Sequence, residues 1–185
     1  MMQNELKKGI ELNTMCNVRI SGIVNDSITD GPGLRYTIFV QGCPHRCDGC
    51  HNPQTWDFNA GKFISLTEIM NEINANPLLQ GVTFSGGEPM CQAKELLPLA
   101  KWIVNKNLNL TIYTGFMFED LLKINNKEQI ELLKLADVLV DGKFEKEKKD
   151  YMLKFCGSTN QRIIDLKESF KQNKLVLNTS SKWNN

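Results

Sequence analysis

Long apolar runs are missing from this sequence. No stretch approaches the roughly 20 residues that cross a bilayer, which excludes a membrane-spanning helix. The opening residues, MMQNELKKGIELN, lack the apolar core of a secretory signal, so a cytoplasmic protein with no membrane partner is expected. An excess of either charge is also missing. Lys and Arg number 22 against 21 Asp and Glu, a net charge of +1, so no basic surplus points to nucleic acid and no acidic tail to a solvating segment. No internal repeat, low-complexity tract or long linker divides the chain. What remains is an ordinary globular composition, 41% apolar and 23% charged, in 185 residues, enough for one compact domain with a sizeable core.

The six cysteines, at 16, 43, 47, 50, 91 and 156, are unevenly spread. A secreted disulfide framework would space them more evenly. The crowded three read as metal ligands or redox thiols. Cys16, Cys91 and Cys156 read as small buried apolar residues.

Hydrophobic periodicity alternates between strand-like and helical. RYTIFVQ (35–41), GVTFS (81–85), NLTIY (109–113) and DVLV (137–140) read as strands, with RIIDL (162–166) and KLVLN (174–178) as two more. Ser65 and Glu68 form a capping-box pattern ahead of a helix ending near Asn76–Pro77; residues 93–106 and 118–135 also carry helical spacing. This alternation predicts an α/β fold with a mainly parallel sheet. A complete eight-unit barrel takes about 250 residues. With roughly five or six strands, the expected architecture is a partial, open β/α barrel. The expected organisation is a loosely ordered segment at 1–16, one domain over 17–178, and a loosely ordered tail over 179–185.

Sites in parallel α/β folds gather at the carboxyl ends of strands. Four unusual segments fall there: GCPHRCDGCHN (42–52), SGGEP (85–89), YTG (113–115) and DGK (141–143). The first spaces its cysteines as C-x3-C-x2-C with no fourth cysteine nearby. Thiolates suit zinc, copper(I) and iron–sulfur clusters. Structural zinc wants four ligands, so His45 or His51 would have to complete a zinc knuckle, a binding module without catalysis. A 4Fe–4S cluster held by Cys43, Cys47 and Cys50 would leave one iron open to a small molecule. Taken alone, Gly86-Gly87 marks a tight turn or a place where backbone approaches a ligand, and Asp30-Gly31-Pro32-Gly33 marks a turn.

Together these segments resemble a known family. The C-x3-C-x2-C run is similar to the signature of the radical S-adenosylmethionine superfamily, and Gly86-Gly87-Glu88 resembles its GGE motif. Asp30-Gly31-Pro32-Gly33-Leu34-Arg35 resembles the DGPG-[IL]-R entry of glycyl-radical-enzyme activases, and Tyr113-Thr114-Gly115 their Y/W-T-G segment. Val140 to Phe144 (VDGKF), Gly157 to Arg162 (GSTNQR) and Trp56 resemble the anaerobic ribonucleoside-triphosphate reductase activating proteins. The resemblance covers roughly residues 17–166. Glu88 stands where many members have Asp, and Asp30 where Asn is frequent.

The resemblance implies a 4Fe–4S cluster on Cys43, Cys47 and Cys50. It implies an S-adenosylmethionine pocket formed by Gly49, Cys50, His51, Gly86, Gly87 and Glu88, with His51 against the adenine. Reductive cleavage there would give a 5′-deoxyadenosyl radical that takes hydrogen from a glycine of an anaerobic ribonucleoside-triphosphate reductase. An external donor such as a flavodoxin would supply the electron. The alternative is an activase of another glycyl-radical enzyme, of the pyruvate formate-lyase type, or a related small-molecule radical enzyme. Asp141 and Lys143 read either as an ion pair at a strand end or as groups at the partner's glycine, and Arg162 as a solvated charge or a guide for a partner carboxylate.

Overall fold

The computed structural model describes residues 17–183. Seven strands form one sheet: β1 (Asn17–Ser27), β2 (Arg35–Val40), β3 (Lys62–Ser65), β4 (Gly81–Gly86), β5 (Asn109–Tyr113), β6 (Val138–Asp141) and β7 (Arg162–Asp165). Their order is β3-β1-β2-β4-β5-β6-β7. The central four, β2, β4, β5 and β6, run parallel. Antiparallel strands flank them, β1 and β3 on one side and β7 on the other. β3 and β7 do not pair, so the sheet is an open α/β half-barrel, as the strand count predicted.

Successive strand residues face opposite sides. One face carries Ile38, Phe84, Ile112 and Leu139, all fully buried under α1 (Leu66–Ala75), α2 (Ala93–Asn105), α3 (Phe118–Ile124) and α4 (Lys127–Leu135), with α5 (Leu166–Gln172) at the far end. The other, concave face is polar at its centre. Thr37, Thr83 and Thr111 lie in register across β2, β4 and β5, each fully buried. Arg35 crosses beneath them, donating Nε to Thr83 Oγ1 at 2.6 Å and Nη2 to the Val82 carbonyl at 2.7 Å and Thr111 Oγ1 at 2.9 Å. Burial without a bonded carboxylate lowers the Arg35 pKa to about 10. This clamp fixes the preceding turn, because Thr83 Oγ1 also donates to the Asp30 carbonyl at 2.8 Å.

The capping box is formed in part: Ser65 Oγ accepts from the Glu68 N–H at 3.1 Å and starts α1. The helical spacing at 118–135 is carried by two helices. Asn125 turns left-handed (φ 53°), and Asn126 caps α4 by accepting from the Gln129 N–H at 2.9 Å. KLVLN is not a strand: only a single bridge joins Leu177 to Ile164. β1 and β3 escaped the pattern reading, the first because register irregularities at 20–22 and 24–27 break its alternation, the second because it has four residues. Within the segment expected to be a loose tail, Trp183 is 6% exposed and packs edge-on against Phe155, with ring centroids 5.3 Å apart. Cys16 and the segment 1–16 lie outside the described residues.

Candidate functional site

The carboxyl ends of the four parallel strands open into one cavity of ≈ 380 Å³. All four segments singled out in the sequence reach it. Cys43, Cys47, Cys50 and His51 arrive from the loop after β2, Gly86 and Gly87 from the end of β4, Gly115 from the turn after β5, and Lys143 from the turn after β6.

The cysteine loop is held at its base. Gly42 adopts φ +94° and its N–H donates to the Thr55 carbonyl at 2.8 Å; the Cys43 N–H donates to the Trp56 carbonyl at 3.2 Å. Cys43 is buried, while Cys47 and Cys50 are half-buried. Burial pushes the Cys43 thiol up, opposed by backbone N–H groups of His45 and Arg46 that favour its thiolate. Burial likewise raises Cys47, opposed by the Phe144 N–H and by the charge of Lys143. The Asn52 N–H points to Cys50 Sγ at 3.3 Å. Three soft sulfurs, each offered backbone N–H donors, in one cavity fit an iron–sulfur core, whose ligand sulfurs take such bonds. A single zinc ion needs its ligands to converge at about 2.0–2.3 Å from one point. Among the described residues, no group of three His, Cys, Asp or Glu side chains is placed to hold a single metal ion.

The two glycines of the β4 loop serve close backbone contact. A Cβ on Gly86 would lie 2.5 Å from Phe39 Cα, and one on Gly87 would lie 2.5 Å from the Gly42 carbonyl oxygen. Their absence lets the loop lie against the cysteine loop, with the Gly87 N–H donating to the Val40 carbonyl and the Glu88 N–H to the Gly42 carbonyl, both at 2.8 Å. Gly49 (φ +71°), expected in the pocket, is exposed and does not line the cavity; it faces the side chains of Phe144 and Lys146. His51 packs at a tilt of 46° against Phe144, with ring centroids 5.1 Å apart.

Four residues are placed differently from the sequence expectation. Glu88, expected at the pocket wall, is fully buried behind it. Its carboxylate accepts from the Met90 N–H (3.0 Å), Thr114 Oγ1 (2.8 Å) and the Gly115 N–H (2.9 Å), and faces His45 Nε2 at 2.8 Å. Asp141 is also fully buried and does not pair with Lys143. It accepts from the Phe118 N–H at 2.8 Å, which anchors the start of α3, and from Arg162 Nε at 2.9 Å. Arg162 is therefore neither solvated alone nor free for a partner: it also grips Glu119 with two bonds. Cys91, expected to be buried, is exposed, because the turn at Pro89–Gln92 faces it outwards. Lys143 remains exposed and lines the cavity.

Residues outside the four segments also line the cavity. Thr29 and Asp30 come from the turn held by Arg35. Leu153, Phe155 and Cys156 come from a segment with no periodic signal. The Tyr113 hydroxyl donates to the Phe155 carbonyl at 3.0 Å and ties that segment to β5; burial raises its pKa.

A family described as a 4Fe-4S single cluster domain matches residues 29–164. The anaerobic ribonucleoside-triphosphate reductase-activating protein of Enterobacteria phage T4 is 34% identical over 72% of this chain and 85% of its own length. That of Escherichia coli K12 is 36% identical over 76% of this chain and 94% of its own. This chain belongs to the reductase-activating protein family. The activating protein of Haemophilus influenzae agrees, at 35% identity over 74% of this chain and 90% of its own length. Membership in the family supports an iron–sulfur enzyme and a 4Fe–4S cluster in this fold. No helix among the described residues is long and apolar enough to cross a membrane.

Proposed function

We propose that this protein activates an anaerobic ribonucleoside-triphosphate reductase by creating a glycyl radical on it. The observation that carries the reading is the meeting of the three loop thiols with the glycine turns of β4 and β5 in one cavity, within a family named for that activation. Cys43, Cys47 and Cys50 would hold a 4Fe–4S cluster. When bound, it would supply the one-electron chemistry for reductive cleavage of S-adenosylmethionine, and so for removal of a hydrogen atom from the partner glycine.

The chain's own residues do the rest. Gly86 and Gly87, with His51, line the space for S-adenosylmethionine beside the thiols. Phe144, packed at a tilt against His51, contributes an apolar side to the cavity. Lys143 places a cation beside Cys47 at the mouth, in reach of an anionic group of the substrate or partner. An external donor such as a flavodoxin would supply the electron, and a cytoplasmic setting would keep the thiols reduced.

The test is anaerobic reconstitution with iron and sulfide, reduction, and assay of 5′-deoxyadenosine, with a Cys47→Ala control. Cleavage that disappears in the control, followed by a glycyl-radical signal on added reductase, is the expected result. A loaded, reduced wild type that leaves both S-adenosylmethionine and the reductase unchanged overturns the proposal. Radical formation on a different glycyl-radical enzyme alone would reassign the partner.

A further inference from the structure

The Glu88 carboxylate is fully buried, and its bonds reach three separate segments of the rim. One oxygen accepts from the Met90 N–H of its own turn and from Thr114 Oγ1 after β5. The other accepts from the Gly115 N–H and faces His45 Nε2. His45 sits between Cys43 and Cys47, and its side chain is 7% exposed. Its ring also packs edge-on against Phe116, with centroids 4.5 Å apart. A Cβ on Gly115 would collide with that ring, so the turn after β5 is shaped around the histidine. With three donors and the His45 ring nitrogen converging on it, the carboxylate has no exposed edge left for a small molecule in the cavity.

We infer that Glu88 is a positioning residue: through His45 it fastens the middle of the cysteine loop to the turn after β5 and so sets where Cys43 and Cys47 present their sulfurs. The inference rests on the reading that these cysteines hold the cluster, and it assigns Glu88 no contact with S-adenosylmethionine. The physical reason lies in the loop itself. Its base is fixed by the bonds of Gly42 and Cys43, but between Cys43 and Cys47 the sequence is Pro44, His45 and Arg46, and Arg46 holds a left-handed φ of 48°. The buried imidazole–carboxylate contact restrains that stretch, and its carboxylate end is satisfied by three further donors, the arrangement in which a polar contact in the interior confers specificity.

The test compares Glu88→Gln, His45→Leu, His45→Gln and the double variant Glu88→Gln/His45→Leu with wild type. In the cluster-free protein, amide hydrogen exchange over residues 43–47 is read directly. Breaking the contact leaves a buried polar group without its partner, and exchange there rises about tenfold in Glu88→Gln and His45→Leu. The double variant is no worse than either single one, because both remove one contact. His45→Gln, whose amide nitrogen can occupy the place of Nε2, restores protection. In the reconstituted protein, the electron paramagnetic resonance line shape of the reduced cluster changes in the same variants that lose protection, while the KM for S-adenosylmethionine stays within about twofold of wild type.

Unchanged exchange and an unchanged line shape in both single variants would overturn the inference. So would a raised KM for S-adenosylmethionine in Glu88→Gln with exchange and line shape intact, which would return Glu88 to the pocket wall. A wild type that takes up no cluster on its three loop cysteines defeats the proposed function instead, and the exchange measurement on the cluster-free protein still decides the positioning role.

Discussion

Arg162 bridges two carboxylates of different burial. Asp141 is fully enclosed, whereas the Glu119 side chain is 47% exposed and receives Nη1 and Nη2 at 3.0 and 2.7 Å. Those bonds hold the Glu119 carboxyl below the usual carboxylate range. A carboxylate with a lower pKa folded than unfolded contributes its full stabilisation above the unfolded value and loses it as pH falls through the folded one. The gap in unfolding free energy between wild type and Glu119→Gln is therefore widest near neutrality and closes on acidification, as urea titrations over pH 3–7 would show. Solvent exposure keeps that gap small. A gap that stays constant across the range would mean that the pair contributes through packing alone. The same cluster shows why the expected Asp141–Lys143 pair fails. Gly142 between them turns at φ +98°, Asp141 faces the start of α3, and Lys143 is sent to the cavity.

At the scale of elements, the turn ending β4 and the loop after β2 are fitted to each other by missing side chains. Gly87→Ala places a methyl group 2.5 Å from the Gly42 carbonyl oxygen, with backbone rather than a flexible side chain as the obstacle. The expected outcome is a loss of about 2 kcal/mol in unfolding free energy, from overpacking, together with weaker iron retention on dilution. Wild-type stability with wild-type iron content would show that the loops tolerate separation. Much of this region was legible in the sequence. The cysteine spacing, the paired glycines and the strand–turn–helix order placed all four segments on one rim, because periodicity and connection rules are local. The orientation of Glu88 was not legible. A motif marks a position, but which way a carboxylate turns depends on a histidine 43 residues earlier in the chain. Short β3 and interrupted β1 were likewise invisible, since their pairing is decided by partners and not by their own pattern.

Across the whole molecule, the concave face depends on cover from distant sequence. Trp183 packs beside Val138 and Val140 and against Phe155, and lies close to the turn at Gly31. Trp183→Ala should cost about 3 kcal/mol, the usual range for a buried tryptophan, measurable by urea unfolding. Faster exchange at Phe155 and Cys156 would accompany it, since both belong to the same small cluster. A loss under about 0.5 kcal/mol, the level of an ordinary surface change, would mean that Trp183 only rests on the surface. The sheet's unpaired edges carry a different consequence. A barrel closed all round has a mouth and nothing else, so another polypeptide must descend into it as a free end or a tight hairpin. Among the described residues, β3 and β7 leave the ring of strands broken, and its outline is a horseshoe. A backbone tethered at both ends can be laid in through that gap and lifted out again, so contact with the cavity requires neither chain to be cut nor either fold to be unthreaded.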